Sequence, residues 1–195
     1  VAESDDSLLE KFFEQGNLTE EEMRGGIHDA IQNQVFIPMF CISAEKNVGV
    51  ARLCDFIAKY GASPDDRETV KAINSKEEEI DISLDGKETV IQIFKTMVES
   101  HVGELSLFRV YSGSVKTGSD LFNTNRNSSE RMGQLFILNG KNRTQIDRVS
   151  AGDIGAVVKL KDTHTGNTLC TGDRVKMPKL NLPNSNIHAA ISSTN

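Results

Sequence analysis

The sequence predicts an α/β segment followed by a small all-β barrel. Three observations carry this. The apolar period is helical in the first third of the chain and becomes 2 after about residue 88. A single unalternating apolar run, Val35 to Ile42, sits between helical patterns, as a strand buried on both faces of a parallel sheet does. The charges also divide: residues 1–87 hold 9 basic and 19 acidic side chains, net −10, and residues 88–195 hold 13 and 9, net +4. A length of 195 residues accommodates two small domains.

Leu8, Leu9, Phe12 and Phe13 recur at helical spacing behind an acidic start, and Gly16 stops that helix. Thr19 with Glu22 is a capping box opening a second helix through about Gln34. VFIPMFCI, residues 35–42, is the expected central strand. A helix from about Gly49 to Tyr60 follows, with Gly61 as its C′ residue. One parallel strand has no neighbours here to supply its ladder hydrogen bonds. The expectation is that this unit is cut from something larger, and a start at Val1 instead of Met agrees.

ASPDDRE and NSKEEE, with proline and runs of charge, read as a linker over residues 65–87 that should be exposed to solvent. From 88 to 180, ETVIQIFKTM, ELSLFRVYSGSV, SDLFN, RMGQLFIL, IDRVSAGDIGAVVKL and DRVKM read as short strands. Their spacing and the turns VGE, KTGS and THTGN argue for a closed barrel, because closure removes exposed edges. Residues 181–195 should lead into a further domain, with Ile187 to Ile191 starting it.

No run of about 18 apolar residues exists and the N-terminus is acidic, which argues against a membrane span or a secretory signal. Cys41, Cys54 and Cys170 are odd in number, and the first two lie in apolar segments, so buried thiols in a reducing compartment, the cytoplasm, are expected. No His stands at metal-ligand spacing from a Cys or another His, so no metal site is expected. Lys116, Arg126, Arg131, Lys141, Arg143 and Arg148 fall in or beside turns, where long side chains either reach a phosphate backbone or remain solvated. Arg109 lies mid-strand between Phe108 and Val110 and should pin a neighbouring loop or domain. Phe94, Phe108, Phe122 and Phe136 read as core, with a base-stacking surface as the alternative.

CISAEKNVGV (41–50), FRVYSGSVKTGS (108–119) and VSAGDIGAVVKLKDTHTGNTLC (149–170) resemble, in order and spacing, three stretches of bacterial translation elongation factor G. VAESDDSLLEKFFEQGNLTEEE resembles the helical segment by which that family returns from an inserted subdomain to its GTPase domain. The resemblance implies an α/β fragment, the end of a P-loop GTPase domain (1–64), followed by an all-β translation-factor-type barrel. It implies that Ser43 and Ala44 offer backbone N–H groups to the guanine carbonyl of GTP, with Lys46 lining the base pocket and magnesium bound elsewhere in the parent. It implies a ribosomal partner, with Lys116, Arg126, Arg131, Lys141 and Arg143 facing small-subunit ribosomal RNA and Arg109 facing the GTPase domain. The P-loop, switches and N-K-x-D motif do not occur in this sequence, so no catalytic residue is assigned and the segment alone should neither bind nor hydrolyse GTP.

The sequence departs from the family pattern at Ile42, Glu45, Glu99, Ser100 and Lys159, the last standing where a glycine is expected, and in the loop NTNRNSSER. These departures suggest a divergent paralogue. The parent's expected role is to promote tRNA and mRNA translocation. The rivals are a ribosomal protection or release-factor-type GTPase and, from another class, a non-enzymatic ribosomal-RNA-binding barrel.

Overall fold

The computed structural model describes residues 5–99, 103–184, 186–187, 189–190 and 192. Its contacts divide the chain into Val1–Asp66 and Arg67–Asn195.

In the first unit, α1 (Asp6–Gln15) is capped by the Asp5 carboxylate, which accepts from the N–H groups of Ser7 and Leu8 and from the Ser7 hydroxyl. Those bonds hold the Asp5 carboxyl below its ordinary pKa, the Ser7 hydroxyl contributing most. Gly16, at φ 72°, closes the helix. α2 (Glu20–Gln32) opens with the reciprocal Thr19/Glu22 capping box that its sequence announced. α3 (Val50–Tyr60) follows Gly49. Gly61 is extended, not left-handed, and glycine is needed there for room: an added Cβ would lie 2.5 Å from the Ile57 carbonyl oxygen.

The strand expected at 35–42 does not form. Val35, Ile37 and Met39 are 70%, 85% and 92% exposed, and the segment joins no ladder. The physical reason is the one foreseen: an isolated parallel strand has no neighbours to bond its backbone. Cys41 and Cys54, expected to be buried, are therefore exposed, and only Cys170 is buried. Among the described residues of this unit, only Gly26 and Ala30 are buried.

The second unit corrects the linker. Residues 65–87 hold the antiparallel hairpin β1 (Thr69–Ile73) and β2 (Glu79–Ser83), preceded by a 3-10 turn at Pro64–Asp66. The alternation hides among charges. Val70, Ala72, Ile80 and Ile82 face inward onto Val90, Cys170, Val175 and Met177, while Lys71 points out between Glu79 and Asp81, 3.2 Å from each. Those carboxylates raise the Lys71 pKa. Asn74 makes the turn by accepting from the N–H groups of Lys76 and Glu78.

The barrel strands are β3 (Val90–Glu99), β4 (Gly103–Ser112), β5 (Ser114–Lys116), β6 (Asp120–Asn123), β7 (Ser128–Arg131), β8 (Leu135–Asn139), β9 (Asn142–Ile146), β10 (Arg148–Ser150), β11 (Ile154–Val158) and β12 (Thr168–Cys170). Eight of them form one antiparallel sheet in the order β7-β6-β12-β3-β4-β11-β8-β9, and β5 pairs with β10. The sheet wraps a core, distinct from the cluster under the hairpin, to which β5 and β10 also contribute: Ile91, Ile93, Phe108, Val110, Val115, Leu121, Leu135, Val149, Val157 and Leu169. Gly155 lets β11 pass over the Phe108 ring, where an added Cβ would stand 2.7 Å from Cζ. Lys159 holds the left-handed conformation, φ 60°, at the position where the family pattern places glycine.

Sequence reading overlooked β7, β9 and β12, which are short and polar or interrupted. It also expected a strand at DRVKM. There Val175 and Met177 are buried, but the backbone makes only one bridge, Lys176 to Ile73. Phe108 is the one core member of the four phenylalanines named above; Phe94, Phe122 and Phe136 are half-buried. Ser100, in the altered pair before the V-G turn, and Val102 of that turn lie outside the described residues, as does Ile191. No helix or strand occurs among the described residues of 181–195, where Ile187 is exposed. No described helix is long and apolar enough to cross a membrane.

Candidate functional site

The loop 43–48 is a closed turn. Ser43 and Val48 exchange both backbone bonds at 3.0 Å, Asn47 turns left-handed at φ 50°, and the Lys46 N–H reaches the Ser43 hydroxyl at 3.4 Å. The Ser43 N–H is consequently spent inside the loop, which corrects its expected role as a donor. The Ala44 N–H is bonded to nothing among the described residues and is exposed, so of the Ser-Ala pair Ala44 is the backbone donor on offer. The Lys46 side chain is also exposed.

The turn cations do not form one patch. Lys116 and Arg148 stand opposite each other in the β5/β10 ladder, and Arg131 lies over the adjacent β5–β6 turn, its Nη2 3.8 Å from a Cβ built on Gly118. Those three come together. Arg126 occupies the tip of the β6–β7 hairpin, at the far end from Arg131, a ladder roughly 10 Å long at about 3.4 Å per residue. It approaches Asp162 at 3.8 Å, which offsets part of its charge. Lys141 and Arg143 sit apart on the β8–β9 hairpin, Lys141 exposed and Arg143 half-buried.

Arg109 is half-buried on β4, its guanidinium 5.6 Å from the centre of the Tyr111 ring. It makes no hydrogen bond or ion pair among the described residues. Its contact among the described residues is thus with an aromatic ring two positions along its own strand, and no neighbouring loop is bonded to it.

Two groups escaped the sequence reading. The first is a buried polar network. Glu130, 2% exposed, accepts from the N–H groups of Lys161 and Asp162 and from the Thr163 hydroxyl at 2.6–3.1 Å. Asn123, fully buried, donates to the Asp162 carbonyl, the Thr163 hydroxyl and Asn167 Oδ1, while its own oxygen accepts from the N–H groups of Asn125 and Arg126. These bonds shape the loop 161–167 and tie it to the β6–β7 turn. Nothing in the local pattern SSER marks Glu130 as inward-facing except its place between Ser129 and Arg131 in a strand too short to recognise. The second is Arg174, whose guanidinium lies 4.1 Å from the centre of the Phe122 ring and donates to Asn127 Oδ1. No group of three or more His, Cys, Asp or Glu side chains among the described residues is placed to hold a metal ion.

Residues 88–172 match the family model described as Elongation factor G domain 2. The fold is also similar to a solved protein of Thermus thermophilus. That likeness has a TM-score of 0.77 and 26% identity and covers 95% of this chain. The chain spans 26% of the length of that protein. By sequence over residues 88–172, and by a β-rich fold with an eight-stranded antiparallel sheet, the barrel is similar to elongation factor G domain 2.

Proposed function

We propose that this chain is part of a cytoplasmic translational GTPase that promotes tRNA and mRNA movement on the ribosome. The observation that carries the reading is the match of the barrel to elongation factor G domain 2 in the same chain as the turn 43–48. In it, the Ala44 N–H donates to the guanine carbonyl oxygen and Lys46 lines the base pocket. A donor so placed favours guanine over adenine, whose amino group would leave it unpaired. The exposed apolar run 35–42 supports a sheet supplied by the rest of such a domain, because a patch of this kind marks a surface that is covered in the working protein. Phosphate and magnesium binding belong to motifs this sequence does not carry, and this chain contributes only the base wall.

The barrel's part is to seat against small-subunit ribosomal RNA through Lys116, Arg131 and Arg148, the three turn cations that the fold brings together. Binding of the labelled chain to purified small ribosomal subunits across a salt series tests this. The expected logarithmic salt slope is about 0.7 to 0.9 per phosphate neutralised, falling by roughly 2 to 3 when all three cations become Ala. Calorimetry with GTP should show no binding tighter than about 10 μM, or about −6.8 kcal/mol. Salt-independent association, or equal association with an unrelated acidic protein, refutes the reading.

A further inference from the structure

We infer that the barrel carries a second nucleic-acid surface, separate from the turn cations above, built to take single-stranded RNA. Its centre is the guanidinium of Arg174 lying over Phe122, with a neighbouring groove edged by Lys176 and Lys179. The inference rests on the barrel being RNA-facing, and it assigns the kind of RNA and the residues that hold it.

The local backbone explains the arrangement. After β12 the chain runs extended across the outside of the barrel. Val175 and Met177 turn inward, 5% and 8% exposed, so Arg174 and Lys176 between them are forced outward. Arg174 lands on the outward face of β6, where Phe122 presents its ring, and Asn127 in the β6–β7 turn accepts one of its N–H groups at 3.3 Å. The planar cation is thus held on one side by an aromatic ring and on one edge by an amide, while the residue remains exposed. It makes no ion pair among the described residues. An arginine immobilised in this way has already lost much of its rotamer freedom, and its outer face is open to a base plane or a phosphate.

Asn125 of the same β6–β7 turn lines a groove of about 390 Å³. Met177 and Leu180 give it apolar walls, Asn125 and Asn167 line it with amides, and Lys176 and Lys179 stand at its edge. Neither lysine makes an ion pair among the described residues. Asn125 and Asn167 are held by bonds to the N–H groups of Thr168 and His164, so these walls are pre-positioned. Such a volume suits a single small ligand unit, and its chemistry suits a nucleotide: an apolar face for the base, amides for its edge and cations for its phosphates. Unpaired bases are required, because a duplex hides its faces in the stack.

The test uses the 195-residue chain and a fluorescein-labelled 12-nucleotide oligoadenylate in fluorescence anisotropy. The matching RNA duplex, a glutamate-rich peptide and purified small ribosomal subunits are the other arms. The single strand should bind more tightly than duplex or peptide. Arg174→Ala should weaken it by at least fivefold, the low end of what one base stack contributes. Arg174→Lys should weaken it nearly as much, because the charge remains and the plane does not. Phe122→Leu should do the same without removing any charge. Lys176→Ala with Lys179→Ala should flatten the logarithmic salt slope by about 1.4, at about 0.7 per phosphate for single strands. Circular dichroism checks each variant's fold, and if Phe122→Leu unfolds, the two Arg174 variants decide. Equal affinity for duplex or peptide, no oligonucleotide binding, or a fully active Arg174→Lys overturns this second surface. Loss of small-subunit binding on replacing Lys116, Arg131 and Arg148, with oligonucleotide binding intact, separates the two surfaces. If small-subunit binding is itself salt-independent, it is the translational reading that fails.

Discussion

Glu130 is the most informative residue to change, because its carboxylate is both buried and the common acceptor for one loop. Oε1 receives the N–H groups of Lys161 (3.1 Å) and Asp162 (2.6 Å) and the Thr163 hydroxyl (2.9 Å), and Oε2 shares the Lys161 N–H at 3.1 Å. Glu130→Ala removes every acceptor. The Asn123 amide donates to the Thr163 hydroxyl and cannot accept from it, so three donors are orphaned, two backbone N–H groups and the buried Thr163 O–H, at about 1–3 kcal/mol each before any relief. Lys161 and Asp162 are exposed, so water relieves part of this, and the expected cost is about 3 kcal/mol. Glu130→Gln can keep its oxygen at the Oε1 position and retain three of the four contacts. It loses the charge and the shared bond, about 1 kcal/mol. Urea unfolding of the two variants should therefore separate them by about 2 kcal/mol. Hydrogen exchange at the Lys161 and Asp162 amides should accelerate in the Ala variant while β3 and β4 stay protected. Equal costs for Gln and Ala would show that the buried charge, not the count of acceptors, decides, and a cost below about 1 kcal/mol for Ala would refute the reasoning.

Lys159→Gly should stabilise the barrel by roughly 0.5–1 kcal/mol in the same unfolding assay, since an L-residue at φ 60° carries a penalty only partly offset by glycine's entropy. Iodoacetamide at mildly alkaline pH should alkylate Cys41 and Cys54 first, by mass spectrometry, and Cys170 last, because burial raises its thiol pKa. With its folded pKa raised, the Cys170 contribution to stability is complete below the ordinary thiol value and fades as pH climbs through the raised one. Chymotrypsin should cut first at Phe36 or Phe40, and trypsin should cut slowly at Lys71, because only the latter lies in a hydrogen-bonded hairpin.

Local signals were legible wherever a few neighbouring residues complete the structure by themselves. The Thr19/Glu22 box, the Gly16 stop and the long alternating strands β3, β4 and β11 need no distant partner to be recognised. The change of period near residue 88 separates helices from barrel for the same reason. The hairpin β1–β2 was misread because its inward residues, Val70, Ala72, Ile80 and Ile82, are outnumbered by charges whose only structural role is to face water. The strand at 35–42 was misread in the opposite sense: apolar content promised a ladder that no neighbour in this chain provides.

By itself, the sequence determined the class of the barrel and the split of charge between residues 1–87 and 88–195. Only tertiary structure decided which cations act together. Ladder register sets Lys116 opposite Arg148, puts Arg126 and Arg131 at opposite ends of one hairpin, and leaves Arg109 against Tyr111 instead of an acceptor. The Glu130 network joins residues more than thirty positions apart, and Arg174 reaches Phe122 across more than fifty. Such partners are invisible to any window of periodicity, because the distance that matters between them is across strands and not along the chain.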